Sequence, residues 1–264
     1  MGSKTRMNTI TCSDPERLPA DLSDTLRRAR RVAVLTGAGV SAESGIPTFR
    51  DAQTGVWERF DPMQLASPDG FASDPATVWD WYQWRRELIG RTEPNAGHHA
   101  LVKLAAQVPQ LDLITQNVDG FHCLAGSDPV LELHGNIQRS ICSVTRREID
   151  AGWLSDHADH KPPPSPHHPE GLARPDVIWF GEALDEAILQ AAFEIAEHCD
   201  LMLVAGTSGA VQPAASLPAI AARNGATVVE INPQESELTA LARWHLAGPS
   251  ATWLPALAAS LQAH

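Results

Sequence analysis

The chain has little positive charge, few cysteines and no long apolar run, and each shortage excludes a class of protein. Its 264 residues carry a formal net charge of -12, which disfavours a basic surface for nucleic acids or anionic membranes. No run approaches the roughly 20 apolar residues of a membrane-spanning helix. The N-terminus "MGSKTRMNTI" also lacks the hydrophobic middle region of a signal peptide. We therefore expect a soluble cytoplasmic protein without nucleic-acid or membrane partners.

The cysteines indicate a reducing compartment. The chain has four of them and no close C-x-x-C pair, which suits free intracellular thiols better than a disulfide framework. A hydrophobic content of 43% is typical of an ordinary globular protein. At this length one domain with insertions is the expected organisation.

Short apolar runs alternate with helical patterns along most of the chain. Continuous Val, Leu and Ile runs are typical of strands buried on both faces of a parallel sheet. The alternation predicts an α/β fold, with a doubly wound parallel sheet in a Rossmann-like large lobe. Predicted strands lie at 31–36, 111–115, 129–133, 200–206 and 226–232, and predicted helices at about 22–30, 95–107, 184–198, 213–223 and 254–262.

Two insertions interrupt this alternation and predict a smaller second lobe. Residues 51–94 are rich in Trp and charge, with a helical pattern around 74–89. Residues 138–174 contain "KPPPSPHHPEG", whose prolines exclude regular helix or central strand. We expect a disordered N-terminus over 1–15 and one domain over 16–264, with a large lobe from 16–50, 95–137 and 175–264 and a small lobe from 51–94 and 138–174.

The stretch "TGAGVSAESGIPTFRD" follows the first of these predicted strands and contains a glycine-rich loop. Gly37, Gly39 and Ala42 fit G-x-G-x-x-G/A, in which backbone N–H groups can approach a pyrophosphate without a side-chain clash. Alone, the pattern also fits a plain glycine turn between a strand and a helix. Pro47 argues against an uninterrupted helix after this loop, unlike an ordinary dinucleotide-binding fold.

Six segments together resemble the sirtuins, the NAD-dependent protein lysine deacylases. The resemblance covers nearly the whole chain in family order, which makes coincidence negligible. It implies NAD as cofactor, acyl-lysine proteins or peptides as substrates, and release of nicotinamide and O-acyl-ADP-ribose by a single catalytic domain. The segments are "GAGVSAESGIPTFRD" at 37–51, "TQNVDGFH" at 115–122, "LHGN" at 133–136, "RPDVIWFGE" at 174–182, "GTSGAVQPAASLP" at 206–218 and "INP" at 231–233.

The resemblance also implies a set of cofactor-binding residues. A loop from Ala42 to Asp51 would place Phe49 over the reactive ribose carbon and Arg50 on the phosphates. Asp119 would accept a hydrogen bond from the nicotinamide carboxamide. The implied set is Gly37, Ala38, Gly39, Ser41, Ala42, Phe49, Arg50, Gln116, Asn117, Asp119, Gly206, Thr207, Ser208 and Asn232.

Two residues would carry the catalysis by this resemblance. His134 is the implied general base, because an imidazole with a pKa near 6.5 can take a proton from a ribose hydroxyl at physiological pH. Asn117 would hold a ribose hydroxyl or an ordered water beside it. Outside this context, "QNVDG" is a polar turn and His134 is one of 11 histidines.

The acyl group is indicated by Tyr82, the only tyrosine in the chain, and by Arg85 one helical turn later. The pair matches the sirtuin subclass that removes succinyl and malonyl groups, in which Tyr and Arg hold the distal carboxylate; acetyl would be a weaker substrate. Ala66 matches the small residue that widens the acyl pocket. On spacing alone, the pair also fits an amphipathic helix with a packed Tyr. The peptide would add as a strand beside "VIWFGE", and the other implied substrate-binding residues are Val177, Trp179, Phe180, Gly181 and Gly209.

The zinc signature of the family is incomplete here. Most sirtuins have two C-x-x-C pairs that bind a structural zinc, but this chain keeps only Cys142 and has Thr145 at the second position. Ser165 and His168 align with the other pair. Two good donors do not complete a four-ligand site, so we expect no structural zinc and no other metal. The alternative recruits other histidines of the insertion, namely His157, His160 or His167.

Two other functions are compatible with parts of this pattern. Protein ADP-ribosyl transfer shares the cofactor chemistry but needs neither a base at His134 nor the pair Tyr82 and Arg85. A non-catalytic NAD-sensing module is suggested by the degraded zinc signature. A monomer is favoured, although the sequence does not fix the oligomeric state.

Overall fold

The computed structural model describes residues 9–46 and 60–262. Its strands run in two sheets, a parallel sheet of seven strands and an antiparallel pair. In chain order they are β1 (Ile10–Cys12), β2 (Arg31–Thr36), β3 (Gln110–Thr115), β4 (Val130–Glu132), β5 (Gly135–Cys142), β6 (Ala173–Val177), β7 (Leu201–Ala205), β8 (Thr227–Asn232) and β9 (Trp244–Ala247). The large sheet has the order β1-β9-β8-β7-β2-β3-β4, and β5 pairs with β6.

Ten α-helices lie within the described residues. None of them has both the length and the apolar character needed to cross a membrane. Short 3-10 helices lie at Ala38–Ser44, Ala214–Ser216 and Thr239–Leu241. The α-helices are α1 (Ala20–Arg28), α2 (Pro62–Leu65), α3 (Pro68–Ser73), α4 (Pro75–Gly90), α5 (Ala96–Ala105), α6 (Phe121–Ala125), α7 (Ala151–Asp156), α8 (Glu186–His198), α9 (Leu217–Arg223) and α10 (Ser250–Ser260).

The central strand β2 is buried on both faces, which confirms the doubly wound α/β prediction. Successive side chains of a strand point to opposite faces. Val32 and Val34 contribute to a core with α1, α5 and α10, whereas Ala33 and Leu35 contribute to a second core with α8 and α9. Five predicted strands correspond to β2, β3, β4, β7 and β8, with ends that differ by no more than one residue.

The two insertions pack against each other beside the large sheet. Helices α2, α3 and α4 share a core with residues of β5 and β6. Trp79 of α4 packs against Cys142, Ile149 and Ala173 from the second insertion. The small antiparallel sheet therefore links the two insertions, and β5 begins at Gly135, just inside the end of the segment assigned to the large lobe.

Three expectations differ from the structure. Residues 10–12 were expected to be disordered, but they form β1, which pairs with β9 at Trp244–Leu246. "VIWFGE" was expected to be a strand, but β6 ends at Val177, and the Glu182 N–H donates to the Trp179 carbonyl at 3.0 Å to close a turn further along the segment. The covering loop was expected to begin at Ala42, which instead lies in a 3-10 helix.

Candidate active site

Three loops meet at the carboxyl edge of the large sheet. Thr36, the last residue of β2, lies in register with Thr115 of β3 and Ala205 of β7. The loops after these strands therefore start at the same level. In open α/β sheets, ligands bind at this edge, where the chain crosses to opposite sides of a central strand.

The glycines of two of these loops are required by a close approach of backbone to backbone. The Gly39 N–H donates to the Gly206 carbonyl at 2.8 Å. A Cβ at Gly39 would lie 2.8 Å from Gly206 Cα, and one at Gly206, where φ is +64°, would lie 2.3 Å from Val40 N. Gly37 is similarly close to Gly206 and Thr207. These glycines, which are predicted to approach a pyrophosphate, also allow the loops after β2 and β7 to touch.

A buried hydrogen-bond network connects three of the sequence-predicted residues. The Ser41 hydroxyl donates to Asp119 Oδ2 at 2.7 Å, and Asn117 Nδ2 donates to Ser41 Oγ at 3.2 Å. The second carboxylate oxygen of Asp119 accepts from the Phe121 N–H at 2.9 Å. Burial raises the pKa of Asp119, although these hydrogen bonds and the positive charge of Arg85 oppose it.

Two buried histidines extend this network, and sequence analysis missed both. His98 Nε2 lies 3.4 Å from Ser41 Oγ, and His122 Nε2 lies 2.9 Å from Thr36 Oγ1. Burial lowers the pKa of His98 to about 4 and that of His122 to about 3, so both rings are neutral at pH 7. His98 stands three residues after Asn95, the residue that caps α5, and its Nδ1 accepts the Asn95 N–H. The three-residue spacing of a capping pair was the signal in the sequence that could have indicated His98.

His134 lies in the turn between β4 and β5, and its imidazole is fixed by one backbone contact. Its Nδ1 lies 2.9 Å from the Gln116 carbonyl, which can only accept, so Nδ1 carries a proton and Nε2 is free to act as a base. Burial lowers the pKa of His134, although the same hydrogen bond opposes the shift. A neutral ring with an unprotonated Nε2 is the form that a general base requires.

Polar side chains from the loops after β3 and β7 and from the end of β8 also meet at the carboxyl edge of the large sheet. Gln116 Nε2 donates to Thr207 Oγ1 at 3.1 Å, and Asn232 Nδ2 donates to the Thr207 carbonyl at 3.3 Å. Ala38 lies on the loop after β2, Ser208 lies on the loop after β7, and both residues are exposed. The structure therefore brings the predicted adenosine-side residues to one edge.

The two residues predicted to select the acyl group, Tyr82 and Arg85, lie on α4. Tyr82 is only 2% exposed, and its hydroxyl accepts a hydrogen bond from Trp179 Nε1 at 2.9 Å. Burial lowers the pKa of Arg85, and attraction to Tyr82 and Asp119 opposes part of that shift. Arg85 is thus electrostatically linked to both the predicted acyl partner Tyr82 and the predicted nicotinamide partner Asp119. Ala66 is buried in the same core and accepts the Phe180 N–H through its carbonyl at 2.9 Å.

Trp179 is held by a buried ion pair that sequence analysis missed. The Arg174 guanidinium contacts both carboxylate oxygens of Glu182, at 2.6 and 2.9 Å, and its Cζ lies 3.3 Å from the centroid of a Trp179 ring. Glu182 Oε2 also accepts the Trp179 N–H at 2.8 Å. The remaining predicted substrate residues differ in exposure, since Val177 and Gly209 are buried whereas Phe180 and Gly181 are exposed.

The four positions that align with zinc ligands lie together. The Thr145 N–H donates to Cys142 Sγ at 3.4 Å, and a Cβ on Gly171 would lie 2.7 Å from that sulfur and 3.2 Å from the Cβ of His168. Burial raises the pKa of Cys142, but hydrogen bonds from Ser165, Thr145 and Val144 outweigh it and bring the pKa to about 7. Across 9–46 and 60–262, no three His, Cys, Asp or Glu side chains are grouped as metal ligands.

Two predicted cofactor residues, Phe49 and Arg50, lie outside the described residues.

Comparison with known proteins identifies the family. Residues 37–213 match the Sir2 family, and the chain belongs to it. A protein of Methylococcus capsulatus named NAD-dependent protein deacylase is 48% identical over 256 residues, which are 92% of this chain and 96% of that protein. NAD-dependent protein deacylase 1 of Pseudomonas aeruginosa is 46% identical over 236 residues, 88% of this chain and 94% of that one.

A solved structure of a Sir2 homologue in complex with NAD has the same fold. It is 38% identical, has a TM-score of 0.87, and covers 99% of this chain and 98% of its own. The chain is therefore a Sir2 family enzyme that depends on NAD. The residues present fit this cofactor, because Ser41, Asn117 and Asp119 provide buried polar groups at the carboxyl edge of the sheet, where ligands of such folds bind.

Proposed function

We propose that the protein is an NAD-dependent protein lysine deacylase that prefers succinyl- and malonyl-lysine to acetyl-lysine. The observation that supports this preference is the pair of residues on α4. Tyr82 carries a buried hydroxyl, and Arg85 one turn later supplies a positive charge that also acts on Asp119. A buried hydroxyl and a guanidinium on one helix face are a suitable partner for a carboxylate.

NAD, when bound, supplies a ribose carbon from which nicotinamide departs. Asp119, Asn117 and Ser41 would hold the nicotinamide and ribose end, with Thr207 and Asn232 at the adenosine end. Their hydrogen bonds to one another keep the polar groups in place before the cofactor arrives, which reduces the ordering required on binding.

His134 would act as the general base. Its Nδ1 proton is committed to the Gln116 carbonyl, so Nε2 can accept a proton from a ribose hydroxyl. Because partial burial lowers its pKa, the basic form persists below the ordinary value of about 6.5.

The acyl preference is tested by Arg85→Met, with Arg91→Met as a matched control. Arg91 lies at the exposed end of the same helix and pairs with Glu87. Peptides with acetyl-, malonyl- and succinyl-lysine are incubated with NAD, and kcat/KM is measured for each. A charge-assisted hydrogen bond is worth ~1.5–3 kcal/mol, so Arg85→Met should lower desuccinylation roughly tenfold to hundredfold relative to deacetylation.

Arg91→Met should leave kcat/KM for all three peptides at the wild-type level. Equal loss of both activities in Arg85→Met would assign Arg85 a folding role and contradict the proposed preference. Release of nicotinamide without deacylated peptide would instead indicate ADP-ribosyl transfer or NAD hydrolysis.

We further propose that hydrogen bonds replace the structural zinc in the small lobe. Cys142 Sγ is surrounded by donors from Thr145, Val144 and Ser165 rather than by further sulfur ligands. Elemental analysis of the purified enzyme should then find far less than one zinc ion per chain, and EDTA should leave its Tm unchanged. One zinc ion per chain, or a fall in Tm after chelation, would overturn this statement.

A further inference from the structure

The hydroxyl of Tyr82 makes a single hydrogen bond with the described residues. It lies at the centre of the small-lobe core and receives a proton from Trp179 Nε1 at 2.9 Å. An indole N–H can only donate, and this fixes the direction of the bond. The tyrosine oxygen must therefore be the acceptor, and the hydrogen of its own hydroxyl is not used in the contact.

Within residues 9–46 and 60–262, this arrangement gives the buried O–H of Tyr82 no acceptor. Burial raises the pKa of Tyr82 to about 12, against the opposing effects of Arg85 and Trp179, so the hydroxyl keeps its proton across the physiological range. A buried donor without an acceptor is costly, and a ligand oxygen would remove that cost. A hydroxyl that already accepts a hydrogen bond is also polarised toward donating one.

Trp179 is itself fixed on three sides. Glu182 accepts its backbone N–H at 2.8 Å, Arg174 lies over the indole at 3.3 Å, and the Phe71 ring is 5.2 Å away between centroids. The ion pair therefore sets the position of the indole, and the indole in turn sets the side from which the Tyr82 oxygen accepts.

We propose that Trp179 is a positioning residue for acidic acyl groups: its indole N–H occupies the acceptor side of the Tyr82 hydroxyl and turns the hydroxyl proton toward the carboxylate of a succinyl or malonyl group. This inference rests on the proposed preference for acidic acyl groups. A Trp179 that only filled the core would contribute equally to every acyl substrate.

The test is a double-mutant cycle of Trp179→Phe, Tyr82→Phe and the two together. Phe keeps an aromatic ring in the core but has no N–H. At saturating NAD, kcat and KM are measured separately with succinyl-lysine and acetyl-lysine peptides. Trp179→Phe should raise the KM for the succinyl peptide roughly threefold to tenfold more than that for the acetyl peptide, the range of one net hydrogen bond.

In the Tyr82→Phe background, Trp179→Phe should bring no further selective change, because the hydroxyl that it orients is gone. Equal changes for both peptides, or selective effects that add in the double variant, would overturn the proposal. Absence of desuccinylation and demalonylation in the wild type would instead reject the proposed substrate class, before any variant is compared.

Should Trp179→Phe not fold, as judged by circular dichroism and Tm, Trp179→His is instead compared directly with the wild type and with Tyr82→Phe. Histidine keeps a ring N–H, so this variant should hold the succinyl-to-acetyl ratio within about threefold of the wild type. A ratio as low as that of Tyr82→Phe would contradict the proposal.

Discussion

The ion pair of Arg174 and Glu182 predicts a large loss of stability from the change Glu182→Gln. The substitution keeps the shape of the side chain but leaves the Arg174 charge without its partner. The side chains of Arg174 and Glu182 are only 5% and 17% exposed. Removing one member of a buried pair costs about 3–5 kcal/mol, and partial exposure of the glutamate reduces this to about 2–4 kcal/mol.

For a chain of this size, that loss corresponds to a fall in Tm of roughly 5–15 °C. The assay is unfolding in urea at pH 7, followed by circular dichroism, with Tm as a second measure. The matched control is Glu87→Gln, which removes the partner of Arg91 from a pair whose side chains are 66% and 74% exposed. It should change the free energy of unfolding by less than about 0.5 kcal/mol.

The same pair predicts a pH dependence. Burial alone would raise the pKa of Glu182, but hydrogen bonds from Arg174 and from the Trp179 N–H outweigh it and lower the pKa below the usual value. A lowered pKa in the folded state means that the stabilisation is present above the unfolded pKa of about 4.3 and disappears as the pH falls through the folded-state pKa. The difference between wild type and Glu182→Gln should therefore be complete at pH 7 and shrink below about pH 4.

A double variant decides whether the cost arises from the unpaired charge. Arg174→Met added to Glu182→Gln removes the unpaired guanidinium and should restore at least about 1 kcal/mol relative to Glu182→Gln alone. If Glu182→Gln costs no more than the exposed control, or if Arg174→Met makes it worse, the reasoning about this pair is refuted.

Two further predictions concern the carboxyl edge of the large sheet. His134→Asn should lower kcat/KM about a hundredfold or more, while NAD affinity, measured by calorimetry, stays within about threefold of the wild type. In the wild type, the acid limb of the plot of kcat/KM against pH should have its midpoint below about 6.5, because burial lowers the pKa of His134. A midpoint above that value would contradict the assignment of His134 as the base. Gly206→Ala should cost more than about 3 kcal/mol in urea unfolding, because its Cβ would lie 2.3 Å from Val40 N at a φ of +64°. The matched control Gly225→Ala has a φ of +94° but open space around it, so it should cost only about 1–2 kcal/mol.

The central strands could be predicted because burial on both faces requires uninterrupted apolar runs. Leu201–Ala205 is such a run and is fully buried as β7. Strands β1 and β9 gave no such signal: β1 has three residues, two of them exposed, and β9 contains His245. Strand β6 reads "ARPDV", with a proline and two charges, and its arginine is buried only because Glu182 reaches it from beyond the strand. A contact of that kind depends on tertiary structure and has no local pattern.

Only some residues of the candidate site could be predicted from the sequence. Ser41, Asn117, Asp119 and His134 could be predicted because they stand just after buried strands or in motifs of the family. His98 could not, because it reaches Ser41 from a different helix, 57 positions away in sequence. The role of the glycines was also incompletely predicted, since a pattern of glycines does not reveal which backbone comes close to them.

The two outer strands of the large sheet are very short. Strands β1 and β4 have three residues each, so the sheet leaves only a few backbone N–H and C=O groups open at either rim. Long, flat rims invite strands from other molecules to join and begin aggregates, and short ones offer them too few sites. The main sheet is thus poorly suited to recruiting extended chains at its rims.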